Sequence, residues 1–189
     1  MIKLTIIEDE PKTPSSHLNL EYLKKYSNGN VFVETGTYMG HTVNLAKSFG
    51  FKSIHSIELD SGLYMKAVKL FENDKEVKIW HGDSIDCLKE IVSFLTEPAT
   101  FWLDAHASGP LPGGKSGGSP VIDELNIIKD HYIKEHTIFI DDRRLFGSAE
   151  WSYVKEYDAI NILKNINENY NILYLDGHTY DDIVCATIK

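Results

Sequence analysis

From Asn30 onward, short apolar runs alternate with segments whose apolar residues recur at helical spacing, and no other feature constrains the fold as strongly. Asn30–Thr35 (NVFVET), Ser53–Leu59 (SIHSIEL), Val77–His81 (VKIWH), Ala99–Leu103 (ATFWL) and Thr137–Ile140 (TIFI) read as strands. Between them lie four amphipathic stretches. Val43, Leu45, Ala46 and Phe49 line one face, then Leu63, Ala67 and Leu70, then Leu88, Ile91, Val92 and Leu95, then Val121, Leu125 and Ile128. Asp60 or Ser61 would cap the second of these, Ser84 the third, and Pro120 suits the first position of the fourth. A helix is expected from about Glu150 to Ile166. Asn171–Leu175 and Ile183–Ile188 read as two last strands, joined by a polar turn too short for a helix. Alternating strands and helices predict an α/β fold with a mostly parallel sheet, here seven-stranded. The final pair, lacking a crossover helix, must be antiparallel.

Residues 30–189 form the domain, and residues 1–29 form an N-terminal extension. Within it Leu18, Leu20, Tyr22, Leu23 and Tyr26 suggest a short helix packed on the sheet. A lid or a dimer arm is the alternative, which leaves a homodimer as the candidate assembly. Lys and Arg number 19 against 28 Asp and Glu, a net charge of −9, so duplex nucleic acid is an unsuitable partner. No apolar run approaches the ~20 residues of a membrane span, and the opening apolar run is too short for a signal peptide. No membrane partner and a cytoplasmic location are the resulting expectations. Cys87 and Cys185 lie in apolar stretches and read as free thiols.

Ligands in such sheets bind beyond the carboxyl ends of the strands. Those ends offer Glu34-Thr35-Gly36-Thr37-Tyr38-Met39-Gly40, then Glu58, then Asp83-Ser84, then Asp104-Ala105-His106, then Asp141-Asp142-Arg143-Arg144. Five successive strand ends thus carry carboxylates. Gly36 and Gly40 would let backbone approach a ligand and let a helix pack on its strand. Glu58 stands where an acid would hold ribose hydroxyls. Glu34 would repel a pyrophosphate and favours a ligand with a cationic group.

E-x-G-x-x-x-G after the first strand, the acid after the second and G-D-S after the third resemble the class I S-adenosylmethionine (SAM)-dependent methyltransferases. The resemblance covers about residues 30–189. It implies a Rossmann-like, doubly wound sheet with an antiparallel last strand. It also implies cofactor binding by Glu34, Gly36, Tyr38, Gly40, Glu58, Asp83, Ser84 and Asp104. In that scheme Glu34 lies near the cationic methionine end, and Asp83 and Ser84 flank the adenine. The alternative for those last two is a helix cap.

Asp104 with Asp141 and Asp142 supplies hard oxygen ligands suited to Mg²⁺ or a similar divalent cation. Without a cation, carboxylates so crowded would raise one another's pKa. This pattern and the string ETGTYMG are similar to the metal-dependent sugar O-methyltransferases of macrolide and aminocoumarin pathways. That resemblance implies a metal held by Asp104, Asp141 and Asp142. It also implies a small, polyhydroxylated acceptor with one oxygen activated by the metal. Asp104 and His106 are the candidate catalytic residues. His106 would be a general base, or else would hydrogen-bond and hold Asp104. Arg143 and Arg144 would bind an acidic group or balance local charge.

Two other readings compete. Gly109–Ser116 (GPLPGGKS) matches the phosphate-loop pattern of nucleotide triphosphatases and kinases. Its lysine should open a helix, yet Gly117-Gly118-Ser119-Pro120 follows at once. A glycine-rich loop over the acceptor, closing when acceptor binds, is the preferred expectation for this segment. The remaining alternative is a non-catalytic, Rossmann-like metabolite-binding domain.

Overall fold

The computed structural model describes residues 18–105 and 118–189. Seven strands form one sheet: β1 Val31–Thr35, β2 Ser53–Glu58, β3 Val77–His81, β4 Ala99–Leu103, β5 Thr137–Ile140, β6 Asn171–Leu175 and β7 Ile183–Thr187. Their order is β3-β2-β1-β4-β5-β7-β6. The first five run parallel, and β7 is antiparallel to both β5 and β6. The α/β fold expected from the strand pattern, and the doubly wound arrangement that the resemblance implies, are the ones observed.

The described helices are α1 Leu20–Tyr26, α2 His41–Phe49, α3 Ser61–Leu70, α4 Ser84–Phe94, α5 Val121–Asp130 and α6 Glu156–Ile166. They divide between the sheet's two faces, because side chains alternate along each strand. Val31 and Val33 of β1 join Leu88, Leu125 and Leu163, bringing α4, α5 and α6 to one face. Phe32 joins Leu23, Val43, Ala46 and Phe71 on the other, under α1, α2 and the end of α3. Leu88, Leu125 and Leu163 are fully buried, each contributing about 1.5–3 kcal/mol of hydrophobic free energy. The α1 helix is part of this core: Thr137 and Thr187 hydroxyls donate to the Tyr26 carbonyl at 2.7 and 3.2 Å.

Three local expectations need correction. The last helix starts at Glu156, not near Glu150. Ser152 and Tyr153 take positive φ, and the turn they make buries Trp151 edge-on against Phe146 at 4.8 Å. Asp83, not Ser84, caps α4, because its extended backbone aims Oδ1 at the Ile85 amide, 2.9 Å away. Pro120 occupies the cap position of α5 rather than its first turn. Cys87 and Cys185 are free thiols, the first half-buried and the second buried. Among the described residues no helix is long and apolar enough to cross a membrane.

Candidate active site

At the carboxyl end of β1 the chain turns sharply. The amides of Gly36 and Thr37 both donate to the Ile57 carbonyl at 3.0 Å. Gly36 adopts φ +89, and a Cβ there would lie 2.5 Å from the Asp104 carbonyl oxygen. Gly40 adopts φ +75, and a Cβ there would meet the Phe71 ring at 2.8 Å. Both glycines are therefore required by packing within the protein: Gly36 against β4, Gly40 for seating α2. Tyr38 also has positive φ, at 47°, and its ring is exposed.

The Tyr38 turn orients Glu58. Its Oε2 accepts from the Tyr38 amide at 2.9 Å and its Oε1 from the Asp60 amide at 2.8 Å. Each carboxylate oxygen keeps a further lone pair, so the group is held in place with acceptor capacity to spare. Leu59 beside it is half exposed and supplies apolar surface at the same rim.

Glu34 is 1 % exposed. Ser56 Oγ donates to its Oε2 at 2.6 Å, and the Thr37 hydroxyl lies 2.6 Å from Ser56 Oγ. Burial pushes its carboxyl up to about 8, the hydroxyls of Ser56 and Thr42 oppose that shift, and the charges of Asp104 and Glu58 add to it. A cation brought to this place would favour the ionised form.

Near the third and fourth strand ends lies a buried acid that sequence reasoning missed. Glu124, on α5, is 1 % exposed; burial pushes its carboxyl up to about 7, and the neighbouring hydroxyls of Ser84 and Thr35 oppose that shift. The Asp104 amide donates to the Thr35 carbonyl at 3.1 Å and to Thr35 Oγ1 at 3.2 Å. Only burial of an acid could have marked Glu124, and as the second acid of a first helical turn it reads from sequence as ordinary dipole compensation.

At the end of β5 the structure gathers a different trio from the one expected. Asp141, Asp142 and Asp182 are buried, and each offers a carboxylate oxygen within 4.8 Å of the others. Asp104 is not a member of this group; its place is taken by Asp182, just ahead of β7. Asp142 has φ 56, and its amide donates to Asp141 Oδ1 at 2.8 Å. Arg144 pairs with Asp142 at 2.5 Å and with Asp182. Arg143 pairs with Glu156 at 2.8 Å and lies over the Tyr174 ring. Both arginines thus balance local charge. The trio's donor chemistry suits a divalent cation, provided that Arg144, which pairs with two of its members, moves aside.

His106 and residues 107–117, with Lys115 and the phosphate-loop match, lie outside the described residues.

No protein-family model matches the sequence, and no curated protein matches it. Solved structures resemble it in three dimensions. An O-methyltransferase from Bacillus cereus in complex with S-adenosylhomocysteine (SAH) is 14% identical, TM-score 0.56, over 85% of this chain and 74% of that one. A SAM-dependent methyltransferase from Aquifex aeolicus is 14% identical, TM-score 0.53, over 92% and 91%. Spermidine synthase from Thermotoga maritima is 11% identical, TM-score 0.56, over 87% and 55%. The fold is that of the class I methyltransferases. At these identities the likeness concerns the fold, and chemistry must be argued from the site.

Proposed function

We propose that this protein is a SAM-dependent methyltransferase that methylates a hydroxyl of a small, polyhydroxylated acceptor such as a sugar. The observation that carries the reading is Glu58, whose two oxygens are oriented by the Tyr38 and Asp60 amides at the end of β2, beside the glycine turn. A carboxylate so held suits two adjacent ribose hydroxyls. Glu34, buried and raised toward neutrality, suits a cationic ligand, and the sulfonium cofactor is one.

Transfer is an in-line displacement at the methyl carbon. The bond to the acceptor oxygen forms as the bond to sulfur breaks, the sulfonium becomes a neutral thioether, and the hydroxyl proton passes to a base. His106 is proposed for that base. The protein's contribution is mainly alignment of the two reactants. Asp141 and Asp142, with Asp182 or Asp104, would hold a divalent cation such as Mg²⁺, which supplies binding of neighbouring acceptor oxygens and a lowered pKa for one of them.

The nucleotide triphosphatase reading is disfavoured: Gly118, Ser119 and Pro120 are non-helical and α5 starts at Val121. Lys115-Ser116 therefore does not open that helix, as a phosphate loop requires. Thermal-shift titration with SAH, SAM and ATP, each with and without Mg²⁺, tests the proposal. SAH and SAM are expected to raise the melting temperature, and stabilisation by ATP alone would overturn the reading.

A further inference from the structure

We infer that Arg144 is a built-in competitor for the divalent cation, so that uptake of the ion and release of the guanidinium are one event. The inference rests on the metal-assisted part of the reading above and concerns regulation of that same site.

The chain has 19 basic residues, and its only two arginines are the adjacent Arg143 and Arg144. Unlike lysine, arginine presents a planar fork of donors that always carries its charge. Arg144 spends one nitrogen on two acids. Its Nη1 donates to Asp142 Oδ1 at 2.5 Å and also to Asp182 Oδ2. A Mg²⁺ ion drawing on the same two oxygens would stand about 2.1 Å from each, which is the ground that Nη1 occupies. The two cations therefore exclude each other. Asp142 belongs to the ligand set with Asp182 and to the set with Asp104, so the exclusion holds whichever acid supplies the third oxygen.

The rest of the site is held without the guanidinium. The Asp182 carbonyl accepts from the Arg143 amide at 2.7 Å, and Asp182 Oδ1 accepts from the Arg144 amide at 3.1 Å. Asp141 Oδ1 accepts from the Asp142 amide at 2.8 Å. All three bonds come from backbone donors and survive departure of the side chain. The Arg144 side chain is 36% exposed, against 4% for Asp142 and 0% for Asp182, so the guanidinium has a path to water that the acids lack. Arg143 is engaged elsewhere: its Nε donates to Glu156 at 2.8 Å and its Nη1 to the Asp181 carbonyl at 3.2 Å. An ion entering the trio must thus break two charge-assisted bonds of Arg144, and a neutral side chain at 144 removes that cost.

The test is Mn²⁺ binding, read by electron paramagnetic resonance, on the wild-type protein, Arg144→Gln, Arg143→Gln and the double variant Arg144→Gln/Asp142→Asn, with circular dichroism on each. Arg144→Gln should bind Mn²⁺ at least about tenfold more tightly than wild type, and Arg143→Gln within about threefold of it. Unchanged or weaker binding in Arg144→Gln would overturn the inference. Equal tightening in both single variants would also overturn it, because net charge alone would then explain the gain. The double variant should lose the tight binding, and its persistence would place the ion elsewhere and overturn the inference. Should Arg144→Gln not fold, ¹⁵N spectra of the wild-type side chains hold only two guanidinium groups, assigned with Arg143→Gln. Adding Mg²⁺ should move the Arg144 signals and leave those of Arg143 in place, and an unmoved Arg144 would overturn the inference. Absence of Mn²⁺ binding throughout would overturn it together with the cation assignment. Calorimetry with SAH on the same samples reads the methyltransferase proposal separately.

Discussion

Gly36 lies so close to Asp104 that a single added methyl group would come within 2.5 Å of the Asp104 carbonyl oxygen. The contact joins the ends of β1 and β4 directly. Gly36→Ala would add a backbone clash to the strain of φ +89, and is expected to cost about 2 kcal/mol or more. Gly50, with φ +101 and open space around it, serves as the control. Its alanine variant should carry backbone strain only, about 1 kcal/mol. Urea denaturation of both variants checks the difference, and equal losses would mean that the two strand ends part freely.

Glu58 should account for much of cofactor affinity. Glu58→Ala removes a charged acceptor from the proposed ribose hydroxyls and should weaken SAM binding by roughly 1–3 kcal/mol. Calorimetry reads this directly, and unchanged affinity would remove Glu58 from the site.

Asp141→Asn should abolish Mg²⁺-dependent methyl transfer while leaving SAH affinity near that of wild type. Comparing Asp104→Asn with Asp182→Asn then decides which supplies the third oxygen, since only the true ligand should raise the Mg²⁺ concentration needed for half-maximal rate. Arg144→Ala removes the guanidinium that pairs with both Asp142 and Asp182, which are buried. Discounted for the partial exposure of Arg144, the loss should be roughly 2 kcal/mol in metal-free buffer. If the trio binds Mg²⁺, the ion should raise the melting temperature of this variant more than that of wild type.

Stability of the cofactor-free protein should fall on both sides of a mildly acidic optimum. Burial raises Glu34 to about 8 from 4.5, so the folded state holds a proton that the unfolded chain releases. That contribution is complete below about 4.5 and is lost as pH rises through about 8. His136 is lowered by burial to about 4 from 6.5. Its Nδ1 accepts from the Ala99 amide at 3.0 Å and its Nε2 lies 3.0 Å from His131 Nδ1, which fixes the neutral ring's proton on Nε2. Its contribution is complete above about 6.5 and is lost as pH falls toward 4. Melting temperatures from pH 4 to 9 should show both slopes, and Glu34→Gln should flatten the alkaline one. SAM, with its sulfonium charge, should flatten that slope more than SAH does. Equal effects of the two would place Glu34 away from the sulfur.

The period of the apolar residues alone determined the α/β class, the strand sequence and the acidic rim, because buried strands and amphipathic helices leave local signatures. The rim positions of Glu34, Glu58, Asp83 and Asp104 were legible for the same reason: each stands in the last two residues of a strand or within two residues after it. Three things were decided only in three dimensions. Trp151 needed a buried slot against Phe146, which consumed the residues expected to open α6. Glu124 became a buried acid, not an ordinary first-turn one, only when α5 packed against α4 and its exposure to solvent vanished. Asp182 precedes a strand instead of following one. Because β7 runs antiparallel, with Val184 opposite Ile140, its beginning meets the end of β5 and brings Asp182 to Asp141 and Asp142. Strand direction and helix packing depend on contacts between residues far apart in the chain, and local pattern carries no record of such contacts.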